Sequence, residues 1–231
     1  MRIDILTLFP ELFDSFLQAS LIGKAREKGL LDIHLHNFRD FSTDKHHTVD
    51  DTPYGGGPGM VLMAEPIFRC LAELKPAGPS GVKFFQSDPT KTGAILLMAP
   101  EGEQLSHTKA QDLATYDQLT LICGRYEGFD ARVEAFTDGK CSIGPYVLSG
   151  GELAAQVIIE TASRFVEGVV GKQESVAEDT FAKGGDYVEY PQYTRPETFT
   201  LPDGTALQVP DVLLSGNHGA IATWRNNHQK T

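Results

Sequence analysis

Gln118-Leu119-Thr120-Leu121-Ile122-Cys123-Gly124-Arg125-Tyr126-Glu127-Gly128 is an apolar run of strand length that empties directly into a glycine-bearing loop. A short run without polar alternation suits a strand buried on both faces, which is the habit of parallel sheets. Two further stretches have the same form. Ala94-Ile95-Leu96-Leu97-Met98-Ala99-Pro100 exits through Pro100-Glu101-Gly102, and Ser142-Ile143-Gly144-Pro145-Tyr146-Val147-Leu148-Ser149-Gly150-Gly151 leads into a helix from Glu152 to about Arg164. Three such exits belong to one open α/β sheet, whose ligands bind beyond the carboxyl ends of the strands.

The flanking sequence agrees. Residues 1–9 read as a buried strand, and Pro10-Glu11 opens a helix with Leu12, Phe13, Phe16 and Leu17 at helical spacing. Ser20 reads as the N-cap of a second short helix that stops at Gly29. Leu31, Ile33 and Leu35 then alternate with Asp32, His34 and His36, a half-exposed strand, so the first part of the chain reads as a βαβ unit. Asp40 to Met60 has no periodicity and reads as loop; Glu65 to Leu74 reads as helix, followed by a surface connection from Lys75 to Gly81. Residues 165–195 are polar and glycine-containing, a linker or lid between a first domain at 1–164 and a small C-terminal domain at 196–231. The latter holds a short segment from Asp211 to Gly216 and a helix around His218 to Asn227, too little to bury much core alone.

Composition narrows the class. The chain has 231 residues, 41% hydrophobic and 22% charged, which excludes a disordered chain and a disulfide-stapled mini-protein. No apolar run reaches the ~18–20 residues of a membrane span, and the N-terminus lacks a basic n-region and a cleavage site, so a soluble cytoplasmic product with no membrane partner is expected. Cys70, Cys123 and Cys141 are odd in number and widely spaced, with no C-x-x-C, and read as buried reduced thiols. The net charge is −11, with 15 basic and 23 acidic residues in 1–171 and 5 and 8 in 172–231. That balance argues against a polyanion partner unless cations gather locally. They do so between Ser20 and Val49, where Lys24, Arg26, Lys28, Arg39 and Lys45 stand against Glu27, Asp32, Asp40 and Asp44, with His34, His36, His46 and His47 beside them.

Familiar catalytic signatures are absent. The chain carries no Walker A loop, no G-x-G-x-x-G after a strand, no H-E-x-x-H and no G-x-S-x-G, which removes the kinase, dinucleotide, metalloprotease and α/β-hydrolase readings. What remains is the set of glycine loops, which let backbone groups approach a flat base and a ribose closely, although a glycine taken singly can equally serve only to turn the chain. The titratable candidates are Asp50, Asp51, Glu127, Asp130, Glu178 and Asp179, with Arg125 and Arg164 as cationic partners. Glu127, between glycines at a strand end, is the carboxylate least easily explained as mere surface, whereas Glu178-Asp179 by spacing alone is a solvated pair. The histidines at 34, 36, 46 and 47 lack metal-ligand spacing and read as surface or polyanion contacts. The residues alone therefore describe an α/β domain that binds something nucleotide-like.

Several longer motifs carry a resemblance. Thr48-Val49-Asp50-Asp51 with Pro53-Tyr54-Gly55-Gly56-Gly57-Pro58-Gly59-Met60, Cys123 to Gly128, Ser142 to Leu153, Glu178-Asp179, Tyr193-Thr194-Arg195-Pro196-Glu197 and Val212-Leu213-Leu214-Ser215-Gly216-Asn217-His218 stand in the order of the bacterial tRNA (guanine-N1)-methyltransferases. The chain resembles that family from its first strand to about Arg225. The resemblance implies an α/β fold with a parallel sheet tied in a trefoil knot, a rare exception to unknotted chains. It implies a small, mainly helical C-terminal domain that contacts tRNA, and a homodimer with the active site at the subunit interface. The implied reaction moves a methyl group from S-adenosylmethionine to N1 of guanosine 37, supported by Mg²⁺ whose ligands the sequence leaves unknown. Matched motif by motif, the cofactor residues would be Met98, Pro100, Gly102, Gly124, Tyr126, Glu127, Ser142, Ile143, Gly144, Tyr146, Leu148, Gly150 and Gly151. Asp179 would be the general base and Arg164 its cationic partner. Asp50, Tyr54, Gly59, Lys24, Arg26, Lys45, His46 and Arg195 would meet the tRNA, with Lys28 and Arg39 nearby. A methyltransferase for another RNA, or an RNA-binding protein without catalysis, is the competing class.

Overall fold

The computed structural model describes residues 1–75, 92–171, 179–185 and 187–230. Most of the expected connection from Lys75 to Gly81, and Glu178, lie outside the described residues. The chain divides into two compact units, Met1–Gln173 and Glu174–Thr231.

In the first unit, five strands form one sheet: β1 (Arg2–Thr7), β2 (Asp32–Asn37), β5 (Gly93–Gln104), β6 (Gln118–Cys123) and β7 (Gly139–Ser142), in the spatial order β2-β1-β6-β5-β7. Every pairing in it is parallel. The βαβ reading holds: β1 is followed by a 3₁₀ turn at Pro10–Phe13 and helices α1 (Asp14–Gln18) and α2 (Ser20–Glu27). β2 then returns beside β1 with Ile3 opposite Ile33. Ser20 does not cap α2 through its side chain; it takes a positive φ of 52° at the reversal, and Ala19 is the N-cap. Gly23 sits where a Cβ would meet the Gln18 carbonyl oxygen at 2.5 Å, so only glycine lets α2 turn back so closely.

Alternation along β1 divides the interior. Ile3 and Ile5 enter one core with Phe13, Leu17, Ile22 and the buried face of α5 (Glu152–Ser163). Leu6 and Leu8 enter the other, with Phe38, Ile67, Cys70 and Leu71; three of these belong to α3 (Ala64–Leu74). Sheet burial on both faces explains why the strands carry few polar residues. Asp4, on β1, is the fully buried charged residue among them. Its carboxylate accepts hydrogen bonds from Arg2 Nε (2.8 Å), Gln118 Nε2 (2.7 Å) and the His36 ring (2.8 Å). Burial by itself would raise the Asp4 carboxyl, but the bonds from His36, Arg2 and Gln118 outweigh it and hold it well below the usual carboxylate range. His36 is thus a structural partner rather than a polyanion contact.

β5 runs further than its apolar stretch. It pairs with β6 on one edge as far as Met98 and with β7 on the other from Leu96 to Met98, then shifts register against β7 so that Glu103 and Gln104 meet Cys141 and Ser142. Pro100 and Gly102 lie within the shift: proline has no N–H for the ladder. A Cβ on Gly102 would meet Lys140 and Cys141 backbone at 2.5–2.6 Å. A helix α4 (His107–Ala114) lies between β5 and β6, capped by Ser106 Oγ accepting from Lys109 N at 3.1 Å. A short antiparallel pair, β3 (Asp50–Asp51) with β4 (Val61–Leu62), brackets the glycine-rich loop. Among the described residues no helix is long and apolar enough to cross a membrane.

The second unit contains a hairpin, β8 (Thr198–Thr200) with β9 (Ala206–Gln208), and two helices, α6 (Asp211–Leu214) and α7 (His218–His228). The hairpin turns through Asp203-Gly204, where Asp203 Oδ1 accepts from Thr205 N at 2.9 Å and Gly204 has φ 89°. Asn217 caps α7 by accepting from Ala220 N at 3.1 Å. This unit is a hairpin plus helices rather than helices alone.

Candidate active site

The carboxyl ends of β5, β6 and β7 open into a cavity of about 360 Å³, within the range of small-ligand sites. Met98 and Pro100 reach it from β5. Gly124, Tyr126 and Glu127 line it from the loop after β6, and Ser142, Ile143 and Gly144 from the end of β7. Tyr146, Leu148, Gly150 and Gly151 close it from the loop before α5. Every residue matched to the cofactor therefore lines one cavity except Gly102, which packs behind it on the β7 backbone.

The loops are fastened to one another as much as to the sheet. Gly151 N donates to Gly124 O at 2.9 Å, and Leu105 N donates to Ser142 O at 2.7 Å. Ser142 Oγ donates to Gly144 O at 3.0 Å and accepts from Gly144 N at 3.2 Å; Tyr146 Oη donates to Ile143 O at 3.2 Å. A Cβ on Gly151 would meet Met98 Cβ at 2.7 Å, and one on Gly144, whose φ is 157°, would strike the Tyr146 ring. Close packing of loop on loop thus already requires some of these glycines, besides any ligand.

Glu127 ties in the glycine-rich loop. Its N–H donates to Met60 O at 3.0 Å, and a Cβ on Gly59 would lie 2.6 Å from its carboxylate. Leu62 N donates to Gly128 O at 2.9 Å, so β3, carrying half-buried Asp50, is held to the same cavity loop through β4. The structure therefore brings Gly59 and the cavity wall together, while Tyr54 at the loop tip is 100% exposed. The cationic stretch lies off the cavity. Lys24, Lys45 and His46 are exposed, whereas Arg26 Nη1 donates to Leu17 O at 2.7 Å and Arg39 Nη1 to His47 O at 3.0 Å. Arg195 is exposed in the second unit. Arg164 is the C-cap of α5 and does not line the cavity. Asp179 opens the described part of the second unit, its carbonyl accepting from Ala182 N at 2.9 Å.

One pair escaped the sequence reading as a unit. Glu152, only 1% exposed, lies at the start of α5, and its carboxylate pairs with Arg125 from the loop after β6, Nη2 to Oε2 at 2.9 Å. An acidic residue in the first turn of a helix is ordinarily a solvated complement to the helix dipole, so the sequence offered no distinctive signal. The cysteines behave as expected: all three are free and buried. Burial pushes the Cys70 thiol up to about 12 and raises Cys141 and Cys123 too, which keeps the nucleophilic thiolate scarce.

A parallel α/β sheet with glycine loops around a cavity at its carboxyl ends places the chain in the class of open-sheet α/β proteins, whose ligand sites lie at that edge. The whole chain, residues 1–231, matches the family described as tRNA (Guanine-1)-methyltransferase TrmD. A protein of Geobacter sulfurreducens named tRNA (guanine-N(1)-)-methyltransferase is 47% identical over 226 residues, 97% of this chain and 84% of that one. One of the same name from Geobacillus kaustophilus is 48% identical over 227 residues, covering 97% and 85%. The chain belongs to this methyltransferase family.

Proposed function

We propose that the protein transfers a methyl group from S-adenosylmethionine to N1 of guanosine 37 in tRNA. The observation that carries this reading is the meeting of the matched glycine loops around one cavity at the strand ends, in a chain that belongs to this family over its full length. The lining suits a nucleoside: Met98, Ile143 and Leu148 offer apolar surface to a base, and the glycine-rich backbone offers N–H and C=O groups to a ribose. Bound there, S-adenosylmethionine would supply an electrophilic methyl on a sulfonium, so the chain need not provide a covalent nucleophile.

Guanine N1 carries a proton at neutral pH and is a poor nucleophile until that proton leaves. Asp179 is the base that would take it, from hydrogen-bond distance. Arg164 would stabilise the charge that develops on guanine O6. Arg164 is absent from the cavity lining, and from Ala154 to Arg164 the axis of α5 runs about 15 Å. In this reading a second copy of the chain supplies Arg164, in a homodimer with the active site at the subunit interface. Exposed apolar surface supports such an interface: Leu153 and Val157 on α5, with Leu12, whose carbonyl accepts from Gln156 Nε2 at 2.9 Å. The register shift in the β5–β7 pairing, between Met98 and Glu103, is where the trefoil crossing would lie. The domain reading at 1–164, 165–195 and 196–231 belongs to the same proposal.

For the RNA, the second unit offers aromatic and cationic side chains together. Trp224 stacks on His228 at 4.0 Å between centroids, Tyr193 meets Trp224 edge-on, and Arg225 lies 4.7 Å over the Tyr190 ring. Residues 212–231 contain no Asp or Glu, so this end of an acidic chain does not repel phosphate. A magnesium ion fits less well. Among the described residues no group of three His, Cys, Asp or Glu could hold one, and we derive no step through it.

Labelled S-adenosylmethionine offered with two tRNA transcripts, one carrying guanosine and one adenosine at position 37, tests the reading. Label on the guanosine transcript alone is expected. Label on both, or on neither, overturns the assigned substrate.

A further inference from the structure

Behind the cavity wall, two separate segments converge on one buried carboxylate. Thr7, the last residue of β1, donates from Oγ1 to Glu152 Oε1 at 2.8 Å and accepts from Phe9 N at 3.0 Å. Arg125 donates from Nε to Glu152 Oε1 at 3.2 Å, places Nη2 2.9 Å from Oε2, and donates from Nη1 to Ser149 O at 3.4 Å. The guanidinium lies 4.4 Å above the Phe9 ring. Arg125 also bridges to Gly150 through the backbone, and a Cβ on Gly150 would strike Arg125 Nε.

Each nitrogen of the Arg125 guanidinium is thus already engaged on the protein. The buried Glu152 charge has Arg125 as its counter-charge and Thr7 as its second donor, and a buried carboxylate that lost them would be strongly disfavoured. We infer that Glu152 and Thr7 are positioning residues. Acting through Arg125, they lock the 124–128 loop to the 149–151 loop at the spacing that the cofactor cavity requires. A hydrogen bond at Oε1 with an ion-pair contact at Oε2 restrains direction as well as distance, which a single hydrogen bond does not. The glycine at 150 leaves room for the pair, since a Cβ there would strike Arg125 Nε and lie 2.5 Å from Glu152 Oε2. Binding to a cavity held in shape beforehand avoids the cost of ordering its walls.

The consequence for catalysis rests on S-adenosylmethionine occupying this cavity, whereas the loop lock itself does not, so two measurements keep them apart. In the ligand-free full-length protein, Thr7→Val is expected to speed amide exchange at Arg125–Gly128 and Ser149–Gly151 while β6 and the middle of α5 keep their protection. Thr7→Ser, which restores the hydroxyl, should restore wild-type exchange. In turnover, Thr7→Val should raise KM for S-adenosylmethionine about tenfold and leave kcat and KM for tRNA within about twofold, with Thr7→Ser again close to wild type. Glu152→Gln should move the same quantities further in the same direction. Unchanged loop exchange in Thr7→Val overturns the lock, and so does a variant in which Ser rescues nothing. If the wild type binds no S-adenosylmethionine by calorimetry, the proposed function falls, and the exchange data alone decide the lock.

Discussion

The two units of this chain bury their residues very differently. Met1–Gln173 has an interior on each face of its sheet, with Ile3, Ile5 and Leu121 on one side and Leu6, Leu97 and Ile122 on the other, all fully or nearly fully buried. In Glu174–Thr231, among the described residues, Tyr187 is the one buried side chain, and Phe199, Leu207 and Leu214 are about half exposed. A unit of that size removes too little apolar surface from water to be stable by its own core. It leans instead on local devices, a hairpin closed by Asp203-Gly204 and an Asn217 cap. The difference teaches a division between the units: the first is a cored scaffold that shapes a cavity, and the second presents most of its side chains to solvent.

The sharpest way to break that division is Asp179→Asn. If the second unit supplies the base, turnover should fall by about 10²–10⁴-fold while S-adenosylmethionine still binds within about twofold by calorimetry. Equal turnover would return all the chemistry to the first unit.

The next largest effect belongs to the scaffold. Removing Asp4 leaves Arg2, His36 and Gln118 without their shared acceptor, and Asp4→Ala should lower unfolding free energy by about 3 kcal/mol in denaturant titration. The Asp4 carboxyl is held low in the folded state, so its contribution is present above the unfolded carboxylate value near ~4 and is lost as pH falls below that toward the folded value. The gap between wild type and Asp4→Asn should accordingly be full at pH 7 and shrink on acidification below about pH 4. A gap independent of pH would mean that the network acts through packing alone.

The smallest effect sharpens the other half of the comparison. Trp224 is the only tryptophan in the chain, so intrinsic tryptophan emission reports on the second unit. Adding tRNA should change that emission by some tens of per cent, and the half-saturating tRNA concentration should rise steeply with salt as counterions are released. Emission indifferent to tRNA would remove the Trp224–His228 stack from the RNA surface.

Much of the first unit could be read before its structure was known, because its signals are local. The apolar runs at 94–100 and 118–123 became central strands, and the alternation of Leu31, Ile33 and Leu35 became the half-exposed β2. The missed elements had weaker signatures. β7 is only Gly139–Ser142 and has no apolar run, and it is a strand because Leu96 to Met98 of β5 pair with it. α4 offered Ser106 as a cap and Ala110 and Leu113 as a buried face, a pattern brief enough to overlook. The β8–β9 hairpin was legible in Asp203-Gly204, yet Phe199 and Leu207 flank it on exposed strands with no core to confirm them.

The sequence by itself determined the parallel α/β character, the strand-end loops, the reduced cysteines and the family, because periodicity, glycine placement and motif order are properties of neighbours along the chain. Only the tertiary structure decided that residues from 98 to 151 share one cavity and that Gly102 stands behind it. It also decided that His36 serves a buried aspartate, and that Glu152 is held by Thr7 and Arg125. Those outcomes depend on pairs as far apart as Thr7 and Glu152 arriving within hydrogen-bonding distance in a low-dielectric interior. There a charge must find its partner, and spacing along the sequence carries no record of which partner that will be.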